Sequence, residues 1–180
     1  MTATGAYAID PSHSRIGFVA RHAMITKVRG SFNEYSGSGH FDAADPASSN
    51  LSLTIQVSSV DTRSGDRDTH LRSADFFDVA TYPTITFAST AVRASGGDRF
   101  VVTGDLTIKD VTKSVDLDVE LTGTAKDPFG NERLGLEGSV VVNRKDWGLT
   151  WNALLEAGGL LVSEKVTLEF DVSAIRTEAS

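Results

Sequence analysis

No cysteine occurs among the 180 residues. That removes a disulfide scaffold, a thiolate metal site and a cysteine nucleophile together. Positive charge is in the minority: 17 Lys and Arg stand against 24 Asp and Glu, a formal net charge of -7. An acidic chain repels phosphate backbones, so nucleic acid is not the expected partner. No apolar run approaches the roughly 20 residues of a membrane-spanning helix, and no transmembrane segment is expected. The opening "MTATGAYAIDP" lacks a basic segment followed by an apolar one, so no secretory signal is expected and the chain is expected in the cytoplasm. Histidines are few. His13, His22, His40 and His70 show no close metal-ligand spacing, and no metal or required cofactor is expected. There is no Gly-x-Ser-x-Gly elbow and no glycine-rich loop leading from a strand into a helix, so no catalytic residue is assigned. Repeats, low-complexity tracts and linkers are absent too, which leaves one domain over 1–180 with an ordered core of about 7–175.

What is present is alternation. Val115, Leu117, Val119 and Leu121 oppose Ser114, Asp116, Asp118 and Glu120, and Val166, Leu168, Phe170 and Val172 oppose Lys165, Thr167, Glu169 and Asp171. Each such strand has one dry face and one wet face, as in an antiparallel sheet solvated on one side. Eight strands follow, at about 14–23, 33–42, 50–60, 83–93, 98–109, 113–124, 134–144 and 163–175. The strands are even and mostly joined by short turns. That pattern predicts an all-β fold: an eight-stranded antiparallel up-and-down barrel, with one short helix near 66–77 between the third and fourth strands and Asp66 as its N-cap. An eight-stranded barrel is either filled by its own side chains or holds one small ligand. The dry faces carry few large aromatics and many Val, Leu, Gly and Ala, which points toward the second, although Val and Leu also pack cores well.

In a meander, strand direction sorts the connections between two ends. Segments 43–49, 94–97 and 125–133 fall at one end and carry turn signals. Segments 24–32, 61–82, 110–112 and 145–162 fall at the other, and three of them are long. A mouth is expected at this covered end. The inward faces supply Ile16 and Phe18, then Leu53, Ile55 and Val57, then Phe87, Val140, Val142, Leu168 and Phe170. The covered end adds His22, His70, Leu71, Phe76, Phe77, Arg144, Trp147 and Trp151. Strand parity places His22, Asp61 and Arg144 inward at the exits of three strands of one direction, as a polar cluster closing an apolar tunnel. A buried arginine needs a partner, which here is Asp61, a carboxylate of 66–78 or a ligand. His22 is either a satisfied interior histidine or a ligand contact. For His70 the alternatives are helix capping or local pairing, and a site role.

The stretches "YAIDPSHSRIGFVARH", "DTRSGDRDTHLRSADFFDVATYPTITFAST", "LTIKDVTKSVDLDVEL" and "VVNRKDWGLTWNALLEAGGLLVSEKVTLEFDV" resemble the YceI-like family. The most specific pieces are Asp68, His70 and Leu71, Phe76-Phe77-Asp78 with Tyr82-Pro83, and Asn143-Arg144 with Gly148-Leu149. The resemblance runs from about Tyr7 to Val172. It implies a lipocalin-like barrel binding a polyisoprenoid, an isoprenoid quinone or a similar amphiphile in its lumen, as carrier or store, in a soluble protein. Many members of that family are exported to the periplasm, and a homodimer is open. Two other classes stand beside it: an enzyme acting on a small lipid at the polar end, and a barrel binding haem or another small molecule.

Overall fold

The computed structural model describes residues 3–177. Strands β1 (Gly5–Ile9), β2 (Arg15–His22), β3 (Thr26–Phe32), β4 (Tyr35–Phe41), β5 (Asn50–Gln56) and β6 (Val60–Asp61) form the first half. Helix α1 (Gly65–Arg72) follows. Strands β7 (Thr84–Gly96), β8 (Arg99–Ile108), β9 (Val111–Lys126), β10 (Glu132–Asn143) and β11 (Lys165–Arg176) complete the chain.

β1 and β2 lie end to end along β11: Tyr7 faces Arg176, while Phe18 faces Leu168. β3 pairs with β2, and β4 pairs with β1 and β5. β6 continues β5 and pairs with β3 only at Ser31 and Phe32. The eleven pieces are therefore eight staves of one closed antiparallel barrel, the first three staves each broken once. Each break has a local cause. Asp10 caps a short 3-10 turn over Pro11–His13, accepting from the Ser12 N–H. At Asn33 the backbone N–H leaves the ladder and donates to the Ser59 carbonyl at 3.2 Å. A 3-10 turn over Val57–Ser59 separates β5 from β6.

Two expectations change in detail. Segment 24–32 is a strand, not a long connection: β3 returns from a tight turn at 23–25 and pairs along β2 from Thr26 to Phe32. The covered end therefore carries two long connections, 62–83 and 144–164. The helix is shorter than 66–77 and starts earlier. Ser64 is its N-cap and Asp66 sits inside the first turn. An eight-residue helix is marginal alone. Here it is fixed by Asp68, buried, whose Oδ1 accepts from Thr62 N–H at 2.9 Å and Thr62 Oγ1 at 2.6 Å.

The core follows the inward faces. Phe87, Phe100, Val102, Leu106 and Val119 are buried, and Asp116 and Asp118 face outward. Glycine thins the wall where aromatic rings cross it. Gly30 pairs opposite Phe18 and Gly138 opposite Phe170. A Cβ at either position would run into that ring, so each phenylalanine depends on its neighbour's bare backbone for space.

Candidate functional site

Along the barrel axis lies an apolar cavity of about 200 Å³. Its lining reaches from Ile85, Ile108 and Val115 toward the covered end to Tyr7, Leu134 and Ala174 toward the end of the tight turns. Ile16, Leu53, Ile55, Phe87, Leu168 and Phe170 all line it. So do Leu51, Phe100, Val102, Leu106, Leu117, Val119 and Leu136, dry-face residues not named among the expected lining. Their signal was the same alternation. Tyr7 and Ile9 were missed because β1 lies ahead of the first expected strand. The remaining candidates take other places.

Phe18 leans on Phe32 with ring centroids 5.7 Å apart, and Phe32 on Phe77 at 6.0 Å. Val142 is half-buried against the core, and Val140 half-buried beyond the cavity. Val57, Leu71, Phe76, Trp147 and Trp151 lie outside the lining and build a plug at the covered end. Trp147 is 3% exposed and donates its Nε1–H to the Leu106 carbonyl at 3.0 Å. Trp151 meets Phe76 at 5.3 Å and the His70 ring edge-on at 4.6 Å. His70 Nε2 is 2.8 Å from Asp75 Oδ2. The expected mouth is thus a stopper in this state.

The polar cluster of His22, Asp61 and Arg144 does not form. His22 is exposed at the end of β2 and bridges to Val162. The 3-10 turn at 57–59 breaks the period of two, so Val60 goes inward and Asp61 outward. Asp61 accepts from the Arg63 N–H at 2.9 Å and from Asn33 Nδ2 at 3.4 Å. Arg144 is buried, and its donors go to backbone carbonyls. Nε reaches Ser163 O at 2.9 Å, Nη1 reaches Leu149 O at 2.5 Å and Nη2 reaches Val162 O at 3.5 Å. Burial pushes its pKa down and the charge of Glu164 opposes this. The guanidinium therefore ties segment 149–163 back onto the barrel.

The other end is fastened by charge. Arg133 gives Nη1 to Asp10 Oδ2 at 2.7 Å and Nε to Asp127 Oδ2 at 2.8 Å. The Ser12 hydroxyl, then Arg133, holds the Asp10 carboxyl well below the usual carboxylate range, and Arg133, then Asn131, does the same for Asp127. Ser12, His13 and Asp10 superficially suggest a nucleophile, base and orienter. Ser12 Oγ and Asp10 Oδ2 both address His13 Nδ1, at 3.0 and 2.8 Å. A working triad uses the two ring nitrogens for different partners, so this is a capped turn. Among the described residues no group of three His, Asp or Glu could hold a metal ion.

A family model described as YceI-like domain matches residues 7–174. A UPF0312 protein of Photorhabdus laumondii is 43% identical over 143 residues, 78% of this chain and 74% of that one. One of Pseudomonas paraeruginosa is 40% identical over 172 residues, 94% of this chain and 86% of its own. Among solved structures, BcnA of Burkholderia cenocepacia superposes with a TM-score of 0.82 at 25% identity, covering 92% of this chain and 98% of its own. A polyisoprenoid binding domain from Saccharophagus degradans superposes at 0.68 with 20% identity, covering 98% of this chain and 100% of its own.

Proposed function

The chain belongs to the YceI-like domain family, and from that membership we propose that it is a binding protein that holds the apolar chain of a polyisoprenoid-type amphiphile in its barrel, as carrier or store. The observation that carries this reading is the cavity itself, lined by apolar side chains from all around the barrel. The solved Saccharophagus degradans domain of the same fold is described as polyisoprenoid binding. Among the described residues, the serines and the histidine that line the cavity, Ser38, Ser49 and His40, make no side-chain hydrogen bond to one another, so the enzyme reading gains nothing from the site.

Magnitudes agree with an apolar cargo. Each buried methylene is worth about 0.8 kcal/mol, so a twenty-carbon stretch gains roughly 16 kcal/mol before ordering costs take much of it back. Drug-sized ligands occupy pockets of about 300–1,000 Å³. A cavity of about 200 Å³ must therefore widen for a long chain. The half-buried Leu51, Leu117 and Leu136 on its wall can change rotamer to give that space.

Extraction of the protein purified from its natural host, followed by mass spectrometry, tests the reading directly. The expected result is one lipid of long apolar chain per barrel, retained through purification and little affected by salt. Recovery of no lipid, together with no uptake of a long-chain prenol in vitro, would overturn it.

A further inference from the structure

At the covered end the tip of the β2–β3 hairpin is apolar and bare. Ile25 is 79% exposed and Met24 61%. Leu154 is 84% exposed on segment 153–162, which is fastened to the same hairpin. The Ala23 N–H donates to the Leu161 carbonyl at 2.7 Å, and His22 bridges to Val162. Ala23 and Met24 both take left-handed backbone, φ 51° and 59°. Turns of this kind ordinarily use Asn or Gly, so turn stability alone does not account for Met24.

A polar groove starts at the base of this tip. β6 pairs with β3 only at Ser31 and Phe32, which leaves the edge of β3 from Thr26 to Gly30 without a strand partner among the described residues. The groove occupies that gap. Arg15, Lys27, Arg29, Arg63 and Arg67 line it, against the carboxylates of Asp61 and Glu169. Five cations less two anions leave an excess of three on a chain whose net charge is -7. Glu169 is occupied by Arg15 at 2.8 Å and Arg29 at 3.4 Å. Lys27, Arg63 and Arg67 make no ion pair among the described residues.

We propose that the hairpin tip and the groove form a docking surface for an anionic lipid bilayer, with Met24, Ile25 and Leu154 entering the interfacial layer and Lys27 and Arg63 meeting lipid phosphates. The whole chain repels such a surface, so attraction has to be local. A cation excess within a Debye length of the bilayer supplies it. Exposed apolar side chains beside basic ones are the composition that binds at the bilayer interface. A protein partner would need on the order of 1,000 Å² of matched surface, whereas a bilayer accepts a small protruding tip of any shape. Segment 144–164 carries both Leu154 and the plug residues Trp147 and Trp151, so docking brings the stopper of the lumen to the lipid.

Co-sedimentation tests this on the full chain, using vesicles of phosphatidylcholine with phosphatidylglycerol and vesicles of phosphatidylcholine alone. The expected result is binding to the anionic vesicles only, weakening as salt rises. Each basic residue near an anionic surface is worth about fivefold, so the double variant K27A/R63A should bind at least about tenfold more weakly. M24S/I25S should also bind the anionic vesicles more weakly, while keeping the parent's salt dependence. All four side chains are exposed, so both variants should melt as the parent does and still take up a prenol, which separates this proposal from the lumen reading. No binding to anionic vesicles, equal binding to both compositions, or binding unchanged in both variants would each overturn it.

Discussion

Buried Arg144 donates to three carbonyls, those of Leu149, Val162 and Ser163. Truncating it strands the buried Leu149 and Ser163 acceptors, while the Val162 carbonyl keeps the Asn152 amide at 2.8 Å, and an unsatisfied buried polar group costs about 1–3 kcal/mol. Arg144→Ala should therefore destabilise the fold by about 3 kcal/mol, read as a lower urea midpoint. Arg144→Lys should recover only part, because an ammonium cannot serve the fork of carbonyls that a guanidinium spans. Arg133 works differently, between two carboxylates. Asp10 and Asp127 both titrate below the ordinary aspartate value of about 3.9. In acid the unfolded chain binds protons that the folded one refuses. The stability these groups contribute is present in full above about pH 4 and is lost as pH falls toward their folded pKa values. Arg133→Met should lower the urea midpoint at pH 7 and flatten its acid dependence, so that parent and variant converge below pH 4. Parallel curves would show that Arg133 does not set these titrations.

Among the elements, the long regular strands were legible because their faces differ. Val115 to Leu121 against Ser114 to Glu120 reads as one wet and one dry side, and β9 has those sides. The breaks were not legible. A 3-10 turn at 57–59 costs the pattern one register, so Asp61 lies outside the wall where strand parity alone puts it inward. β3 was hidden because "TKVRGSF" alternates weakly: Gly30 is inward and Phe18 covers it from the neighbouring strand, a pairing no local window contains. Likewise, the sequence showed that Arg144 needs partners, but not that carbonyls of a following segment would supply them. Tied down at both ends, that segment is held in its middle, over 153–160, mostly by bonds to itself. Between Trp151 and Val162 its hydrogen bonds are mostly local or to Asn152, and Leu154 is exposed. Amide hydrogen exchange should run faster across 150–162 than across the β8–β9 ladder, whose register is continuous from Arg99 to Ile108. Loading a long-chain prenol should slow exchange in 150–162, since widening the lumen presses on the plug that this segment holds. Unchanged exchange on loading would mean that cargo enters without engaging the covered end.

For the molecule as a whole, a closed barrel with a narrow apolar lumen links cargo to stability. A ligand that binds the folded state alone stabilises it by about 2.7 kcal/mol at a hundredfold excess over Kd. Adding a long-chain prenol should therefore raise the unfolding midpoint of the parent protein. The way to remove that gain is to fill the lumen without bending its wall. Gly138 is unsuitable, because any Cβ there collides with the Asp118 carbonyl as well as with Phe170. Leu117 is better placed: it is half-buried on β9, it faces the cavity and its backbone sits in an unbroken ladder with Val102. Leu117→Trp should put an indole across the axis, abolish the prenol-dependent shift and leave the ligand-free midpoint within the roughly 1–3 kcal/mol that overpacking costs. Asp118→Asn, one residue along on the wet face, should keep the full shift. If prenol stabilises parent and Leu117→Trp equally, the cargo does not lie in the lumen, and the apolar cavity is a packing feature of the barrel instead of its binding site.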